Sequence, residues 1–408
     1  MTTTKTSTSM WLATIEDHMP VFFDTHTALL NNKPPATLIT GSPGSGETFL
    51  TMLITTISAI TGKVTLVLDP KGDFLGLYEL RKQFPKFTVW NLSNKNRKGL
   101  LDPFYMFQKD EDTLSLVLGL LNIFLGGIPN EQLTAISPIL EDVIKGNEGT
   151  PSLMLLKDRF RSSEKVEARN VGTKLELISK LSSASLCFAP GNAKRRTITM
   201  DEGLIIVSMP QLQLGYSAQK NSSSSADYKQ NLASGIFYLI TQYINSILYD
   251  DETDKPKTIL IDEAWAVTQT EAGANCIESL AKLGRSKNAA TVLVSQNLSD
   301  LQNTKEDGGH AIENTLSTYF TFNNSIQEAK ALVPAMRLPE NQGFDELIAN
   351  LTPQYCIMRD WRYHFGVIHP DVRRQDWLQA FNTNPLEKHM RAQEQRATKN
   401  HDNSTKNK

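Results

Sequence analysis

TLITGSPGSGETF, at residues 37–49, is the most informative stretch of this chain of 408 residues. It begins with a short apolar run that ends at Thr40, continues as a glycine-rich turn, and leads into residues 49–60, whose apolar composition is typical of a helix. A strand, a glycine-rich loop and a helix in this order are the context that a phosphate-binding loop requires. The N–H groups of such a loop converge on an anion, and the helix N-terminus adds partial positive charge.

The predicted phosphate-binding loop is one continuous segment. Its glycines permit backbone angles and a close approach that a side chain would block. The hydroxyl of Thr48 stands where this motif places a ligand of Mg²⁺. The residues predicted to bind the phosphates are Gly41, Ser42, Pro43, Gly44, Ser45, Gly46, Glu47, Thr48 and Phe49.

Glu47 departs from the motif, because a lysine normally precedes the threonine and reaches the β- and γ-phosphates. A carboxylate at this position faces the same phosphates with the opposite charge. We therefore expect the fold of the loop to survive and the hydrolysis of ATP to be weak. Lys71, in the turn after the next predicted strand, is a hypothetical substitute for the missing lysine.

Two acids follow a second apolar run, TILIDE at residues 258–263. After a phosphate-binding loop, this pattern predicts that Asp262 holds Mg²⁺ through water and that Glu263 orients and polarises the attacking water. Gln296 ends a third predicted strand, TVLVSQ. This residue is either a sensor of the γ-phosphate that positions water or an ordinary strand-end amide.

Arg285 belongs to the segment GRSK that ends a predicted helix at residues 276–283. Two interpretations stay open. In the first, the cation stabilises the C-terminus of its own helix. In the second, it is an arginine finger that contacts the nucleotide bound to a neighbouring subunit.

Composition limits the classes of protein that the chain can represent. Its net charge of −2 gives no general signal for nucleic-acid binding. Cys187, Cys276 and Cys356 are far apart, which indicates a reducing compartment and no disulfide framework. The longest apolar stretch, residues 114–128, is shorter than a bilayer span and contains Asn122, so we expect a buried helix there.

Strand and helix patterns alternate along much of the chain, which predicts an α/β fold with a mostly parallel sheet. From residue 110 to about residue 194, apolar residues recur at helical spacing and no strand pattern occurs. We interpret this region as a helical insertion that either binds a partner or covers the sheet. The serine-rich segment 217–231 predicts a flexible loop. Buried strands are predicted at 64–68, 87–91, 204–208, 257–261, 290–295 and 319–322, with a terminal hairpin at 355–358 and 367–369.

Taken together, these motifs resemble those of the VirB-four/TraC-like ATPases of type IV secretion and conjugation. The resemblance extends over about residues 21–372. It implies a P-loop NTPase fold of the RecA/FtsK/HerA-like kind, in which helices flank a mostly parallel sheet that carries an all-helical insertion and a C-terminal β-hairpin. The segments that carry it are GSPGSGET, DPKGDF, LLDPF, ILIDEAW and the pair GRSK and VSQ.

The resemblance also implies cofactors, roles and partners. ATP and Mg²⁺ are the implied cofactors; Asp262 and Glu263 are the implied Walker B pair, Arg285 the finger that acts in trans, and Gln296 the sensor. The family implies a homo-oligomer, expected to be a hexamer. It further implies a cytoplasmic location, peripheral at the inner face of the cell membrane, through the inner-membrane channel proteins of a type IV secretion system.

Family members usually carry a large N-terminal docking domain, whereas only about 36 residues precede the first strand of the phosphate-binding unit here. We therefore expect the chain to correspond to the ATPase half alone, as a fragment, a short homologue or one part of a split system. The expected organisation is a flexible arm over 1–20, a first half of the ATPase domain over 21–109, a helical insertion over 110–200, a second half over 201–385, and a disordered tail over 386–408.

Three functions follow as hypotheses. The first is an ATPase motor that couples ATP binding and hydrolysis to pilus assembly or substrate transfer, impaired by Glu47. The second is a scaffold of the secretion machine that has lost turnover. The third is a DNA-pumping translocase of the coupling-protein type, for which the near-neutral charge gives no support.

Overall fold

The computed structural model describes residues 10–14, 20–93, 98–106, 110–146, 149–190, 203–209, 224–249, 255–268, 271–302 and 315–383. Eleven strands are found in these residues. They are β1 Met10–Thr14, β2 Pro20–Phe23, β3 Ala36–Thr40, β4 Val64–Asp69, β5 Phe87–Asn91, β6 Gly203–Ser208, β7 Lys257–Ile261, β8 Ala289–Val294, β9 Leu316–Thr321, β10 Cys356–Arg359 and β11 Phe365–Pro370.

The helices of the described residues lie mostly between the strands. Two further segments are 3-10 helices, Asp73–Gln83 and Ser182–Leu186. The α-helices are α1 Thr27–Leu30, α2 Glu47–Ile60, α3 Pro103–Met106, α4 Asp110–Leu125, α5 Asn130–Ile144, α6 Leu153–Arg161, α7 Val166–Ser179, α8 Ser224–Tyr249, α9 Ala264–Thr268, α10 Glu271–Leu283, α11 Ser299–Gln302, α12 Ile326–Ala335, α13 Phe344–Ala349 and α14 Gln375–Phe381.

All eleven strands form one sheet in the order β2-β1-β11-β10-β9-β3-β8-β7-β4-β6-β5. The seven strands from β9 to β5 run parallel. The other four extend the sheet antiparallel beyond β9. Parallel neighbours place their carboxyl ends along one edge, so the turns after β3, β8, β7 and β4 are brought together there.

Each face of the parallel sheet is covered, because helices pack on both sides. One core joins one face of the sheet to α4–α8 and α10, with Leu66, Ile259 and Phe237 fully buried. The other joins the opposite face to α2, the 3-10 helix Asp73–Gln83 and α14. Strands buried on both faces read as continuous apolar runs, which is how β4, β6, β7 and β8 appear in the sequence.

Most of the predicted elements are confirmed. The predicted strands correspond to β4–β9, and β10 and β11 form the predicted antiparallel terminal hairpin. The region after residue 110 is helical throughout its described part, and the apolar stretch at 114–128 is a buried helix, α4, rather than a membrane span. All three cysteines are free and buried.

Two expectations from the sequence are wrong in part. The flexible arm expected over 1–20 contains β1, which forms because β11 and β2 supply hydrogen-bonding partners on both sides. Leu12 in this strand is fully buried. The loop expected over 217–231 contains the start of α8, which begins at Ser224. Residues 217–223 and the predicted tail from 386 lie outside the described residues.

Candidate nucleotide site

The predicted phosphate-binding loop joins β3 to α2 and is held from the side of β9. The N–H of Ser42 donates to the carbonyl of Asn323 at 2.7 Å, and the carbonyl of Ser45 accepts from the N–H of Gln354 at 2.7 Å. Gly41 has no room for a side chain, because an added Cβ would lie 2.6 Å from Ser45 Oγ. These contacts fix the start and the middle of the loop.

The tip of the loop and the helix that follows suit an anion. Gly46, with φ of 121°, directly precedes α2, and no side chain at this position caps the first N–H groups of the helix. Those groups are therefore available to a phosphate, which is the usual partner of a helix N-terminus in this setting. Pro43 and Gly44 are exposed at the tip, and a Cβ on Gly44 would meet nothing within 4 Å.

Glu47 occupies the interior of this loop. Its Oε1 accepts a hydrogen bond from Ser45 Oγ at 3.4 Å, and its carboxyl carbon lies 3.3 Å from the Cβ position of Gly41. Burial raises the pKa of Glu47 to about 8; the charges of Asp262 and Glu263 act in the same direction, and Lys71 opposes them. The residue that departs from the motif therefore lies between the loop and the predicted carboxylate pair.

Thr48 and Phe49 follow Glu47 in the first turn of α2 and have different surroundings. Thr48 is half-buried next to Glu47, in the position predicted for a Mg²⁺ ligand. The ring of Phe49 packs edge-to-face on Phe381, with centroids 5.6 Å apart. Its side chain thus belongs to the core on the α14 side rather than to the loop.

Asp262 and Glu263 follow β7, as the sequence predicted. The N–H of Asp262 donates to the carbonyl of Leu68 at 3.0 Å, which fixes the end of β7 against β4. Glu263 has φ of 48°, and its two oxygens are contacted separately by Lys71 Nζ and Trp265 Nε1. Burial raises the pKa of Asp262 to about 7, and the neighbouring carboxylates Asp69 and Glu263 act in the same direction.

Asp69, at the end of β4, is a site residue that the sequence analysis did not single out. Its Oδ1 accepts the N–H groups of Gly72 at 2.7 Å and Asp73 at 3.1 Å, which closes the turn that carries Lys71. Burial raises the pKa of Asp69 to about 6. The available signal was an apolar strand that ends in an acid, a feature that Asp69 shares with Asp262.

Gln296 follows β8, next to the strand of the phosphate-binding loop. Its main-chain carbonyl accepts from Thr40 Oγ1 at 3.0 Å and from Asn324 Nδ2 at 2.8 Å. The half-buried side chain is thereby placed at the edge of the sheet where the loop lies. Asn324, which links the ends of β3, β8 and β9, is a second residue that the sequence reasoning missed.

Arg285 is not brought to the loop of its own chain. It precedes β8, and an added Cβ on the adjacent Gly284 would lie 3.2 Å from Pro35, which precedes β3. Both residues lie at the amino ends of their strands, on the edge of the sheet opposite the nucleotide loop. The side chain of Arg285 is exposed there.

A cavity of about 240 Å³ lies on this same opposite edge. It is lined by residues at the amino ends of β3 and β9, by the end of α12 with Arg337, and by the hairpin turn between β10 and β11 with Trp361. The guanidinium of Arg359 lies over the rings of Tyr319 and Tyr363, 4.6 and 4.9 Å from their centroids. This cavity is separate from the site formed by the loop and the carboxylates.

The fold and this site define a class of protein. A glycine loop between the central strand and a helix, with two acids two strands away at the same edge, is the arrangement of the P-loop NTPases. The chain belongs to the AAA-like domain family, whose model matches residues 28–381. The resemblance to VirB-four/TraC-like ATPases that the motifs indicated is confirmed at the level of the fold.

Similar proteins include a curated relative and several solved structures. The relative is the uncharacterized protein YddE of Bacillus subtilis, 21% identical over 371 residues. The match covers 86% of this chain but 43% of YddE, so the chain spans less than half the length of this relative. VirB4 of Thermoanaerobacter pseudethanolicus matches with a TM-score of 0.67 at 14% identity, over 91% of this chain and 98% of that one.

The bacterial conjugative coupling protein TrwB has the same fold. Its unbound form matches with a TM-score of 0.55 at 13% identity, over 90% of this chain and 89% of that one. Its complex with ADP and Mg²⁺ matches with a TM-score of 0.54 at 14% identity, over 90% of each chain. Within the described part of this chain, no helix combines the length and the apolar character that crossing a bilayer requires.

Proposed function

We propose that this protein is an ATPase motor of a type IV secretion or conjugation system. The observation that carries the proposal is the meeting of three sheet-edge turns at one place: the loop after β3, the acids after β7 and the lysine turn after β4. Lys71 Nζ contacts Glu263 Oε1, and the charges of Asp262, Glu263 and Lys71 all act on the pKa of Glu47 in the loop. Phosphoryl transfer needs such a cluster because it depends mainly on positioning and on charge stabilisation.

Each group has a task in that reaction. The N–H groups at the tip of the loop and at the start of α2 would bind the phosphates of ATP, and Thr48 and Asp262 would hold Mg²⁺. The bound ion neutralises charge on the β- and γ-phosphates. Glu263 would orient the attacking water, and Gln296 would sense the γ-phosphate. Water forms the new bond to the γ-phosphorus as the bond to the bridging oxygen breaks, and ADP leaves with the electron pair.

Because Glu47 stands where the motif has a lysine, we expect this activity to be low. A carboxyl group near the γ-phosphate adds repulsion when it is ionised, and it supplies no cation in either state. We expect Glu47→Lys to increase phosphate release by about 100-fold, which corresponds to about 3 kcal/mol of transition-state stabilisation. Steady-state phosphate release by both proteins tests this expectation. Equal and rapid turnover by the two would contradict it.

Arg285 supports an oligomer in which one chain completes the site of another. It is exposed at the sheet edge opposite its own loop, so it can reach a nucleotide only on a neighbouring copy. We propose a homo-oligomer, and a hexamer in particular. The test mixes Arg285→Ala with Glu263→Gln, both in the Glu47→Lys background. If Arg285 acts in trans, the mixture regains activity that neither variant has alone.

The remaining parts of the proposal concern partners and place. We propose that the oligomer works in the cytoplasm, at the inner face of the membrane, docked on the inner-membrane channel proteins of the secretion system. We also keep as a proposal the division of the rest of the chain into a first half of the ATPase domain over 21–109, a helical insertion over 110–200, a second half over 201–385 and a tail over 386–408. Co-purification with the channel proteins, with and without ATP, tests the docking.

A second candidate function is a scaffold that binds nucleotide and does not turn it over. Glu47 is the observation that favours it, because this substitution affects hydrolysis more directly than assembly. A protein that forms the oligomer in the presence of ATP but shows no more phosphate release than Glu263→Gln would support the scaffold. DNA pumping is the third alternative. Salt-sensitive binding to single- or double-stranded DNA would favour it over the first two.

A further inference from the structure

The charges around the loop are unevenly distributed. Glu47 lies within the loop after β3, Asp262 and Glu263 follow β7 at the same edge of the sheet, and Asp69 ends β4 beside them. A phosphate group brings further negative charge to this place. A cation is therefore required, and the position that normally supplies it carries Glu47.

Lys71 is positioned to supply that cation. Its Nζ contacts Glu263 Oε1, on the acid that would orient the attacking water. The side chain of Lys71 is 51% exposed, so it is not buried against Glu263 and can exchange partners. Since Glu263 directly follows Asp262 after β7, Lys71 approaches this pair of acids from the side of β4.

The turn that carries Lys71 is built to hold it in this place. Asp69 Oδ1 accepts two N–H groups from the turn, and Gly72 adopts the left-handed conformation with φ of 85°. The main chain of Asp69 is itself fixed, since its carbonyl accepts the N–H of Met209 at 3.0 Å. Sheet order then brings the turn next to Glu263, because β4 and β7 are neighbours.

We propose that Lys71 replaces the missing lysine of the phosphate-binding loop and binds the γ-phosphate of ATP. This inference rests on the proposed ATPase function. When ATP binds, the ammonium group passes from Glu263 to a γ-phosphate oxygen, which carries more negative charge than a single carboxylate. Glu263 is then free to accept a hydrogen bond from the attacking water.

A purely structural role for Lys71 makes a different prediction. If the lysine served only to neutralise Glu263 or to hold the turn, its removal would have the same effect whichever residue occupied position 47. If it replaces the lysine of the loop, its removal should matter only while Glu47 is present. Non-additivity between the two positions therefore distinguishes the roles.

The experiment uses the full chain in four forms: the natural sequence, Lys71→Ala, Glu47→Lys and the double variant. Binding of fluorescent analogues of ADP and of non-hydrolysable ATP is measured by titration, and phosphate release is measured on the same samples. Lys145→Ala, at another exposed lysine that pairs only with Glu141 in the described contacts, is the matched control.

We expect Lys71→Ala to weaken binding of the ATP analogue about 10-fold and to leave binding of ADP within about twofold. Phosphate release should fall about 100-fold in the natural background and less than about threefold in the Glu47→Lys background. An equal loss in both backgrounds, or an equal loss for ADP and for the ATP analogue, would overturn the role of Lys71. If no form binds either nucleotide, the proposed function itself is wrong.

Discussion

Asp102 Oδ2 accepts the main-chain N–H of Leu153 at 3.0 Å, across 51 positions of the sequence. The same oxygen accepts the N–H of Ala189 at 3.0 Å, and Oδ1 accepts that of Phe104 at 3.1 Å. One buried carboxyl group thus ties the turn at LLDPF to the start of α6 and to the end of the helical region. The segment LLDPF, residues 100–104, therefore joins the helical insertion to the sheet.

Removal of this carboxyl group should be costly. Asp102→Ala leaves three buried N–H groups without an acceptor, and we expect the free energy of unfolding to fall by about 3 kcal/mol. Asp102→Asn keeps one acceptor oxygen and should lose about half as much. Urea denaturation of the three proteins measures both values. A loss below about 1 kcal/mol for Asp102→Ala would show that the helical region is held by packing alone.

His26 should make the stability depend on pH. It lies in a buried network in which its main-chain N–H donates to Asp24 Oδ1 at 2.8 Å and Lys63 Nζ pairs with the same oxygen at 3.0 Å. Burial, and then the charge of Lys63, lowers the pKa of His26 to about 4. The unfolded chain therefore takes up a proton at a pH where the folded chain does not.

The lowered pKa of His26 determines the direction in which stability changes with pH. The stabilisation is complete above the unfolded pKa of about 6.5 and is lost as the pH falls toward 4, by at most about 3 kcal/mol. His26→Gln should remove this contribution. The measurement is the difference in unfolding free energy between the two proteins at pH 7 and at pH 4.5, which cancels the titration of the other groups. A difference that does not change with pH would contradict the prediction.

Gly41 should tolerate no side chain. In Gly41→Ala the new Cβ would lie 2.6 Å from Ser45 Oγ and 2.7 Å from Phe322 Cβ, so the loop must shift. We expect nucleotide binding to weaken at least about 10-fold, with a loss of about 1–3 kcal/mol in stability. Gly62→Ala is the control, since its φ of 86° gives strain while its Cβ has open space. That variant should lose stability and keep nucleotide affinity.

Glu263→Gln should separate binding from hydrolysis. The substitution keeps the shape of the side chain and removes the charge that would polarise water. In the Glu47→Lys background we expect phosphate release to fall at least about 100-fold, with nucleotide affinity unchanged or tighter. Titration with the fluorescent ATP analogue and phosphate release on one preparation measure the two effects. Parallel losses in both would show that Glu263 serves binding instead.

Local patterns were sufficient to predict the nucleotide loop and the elements on either side of it. β3, the glycine turn and α2 are consecutive in the sequence, and their conformations follow from apolar runs and glycine positions. β7 with Asp262 and Glu263 was predictable for the same reason, as was the terminal hairpin. Apolar runs, their spacing and turn residues are local features of the sequence, so they predict such elements even though the strands bond to distant partners.

The tertiary structure alone decided which strand ends meet. The sequence did not show that β8 and β7 lie between β3 and β4, or that the turn of Lys71 lies next to Glu263 as a result. β1 forms only because β11, more than 350 positions away, lies next to it. Strand order depends on how the faces of the sheet are buried against distant helices. A local pattern of residues does not determine this order.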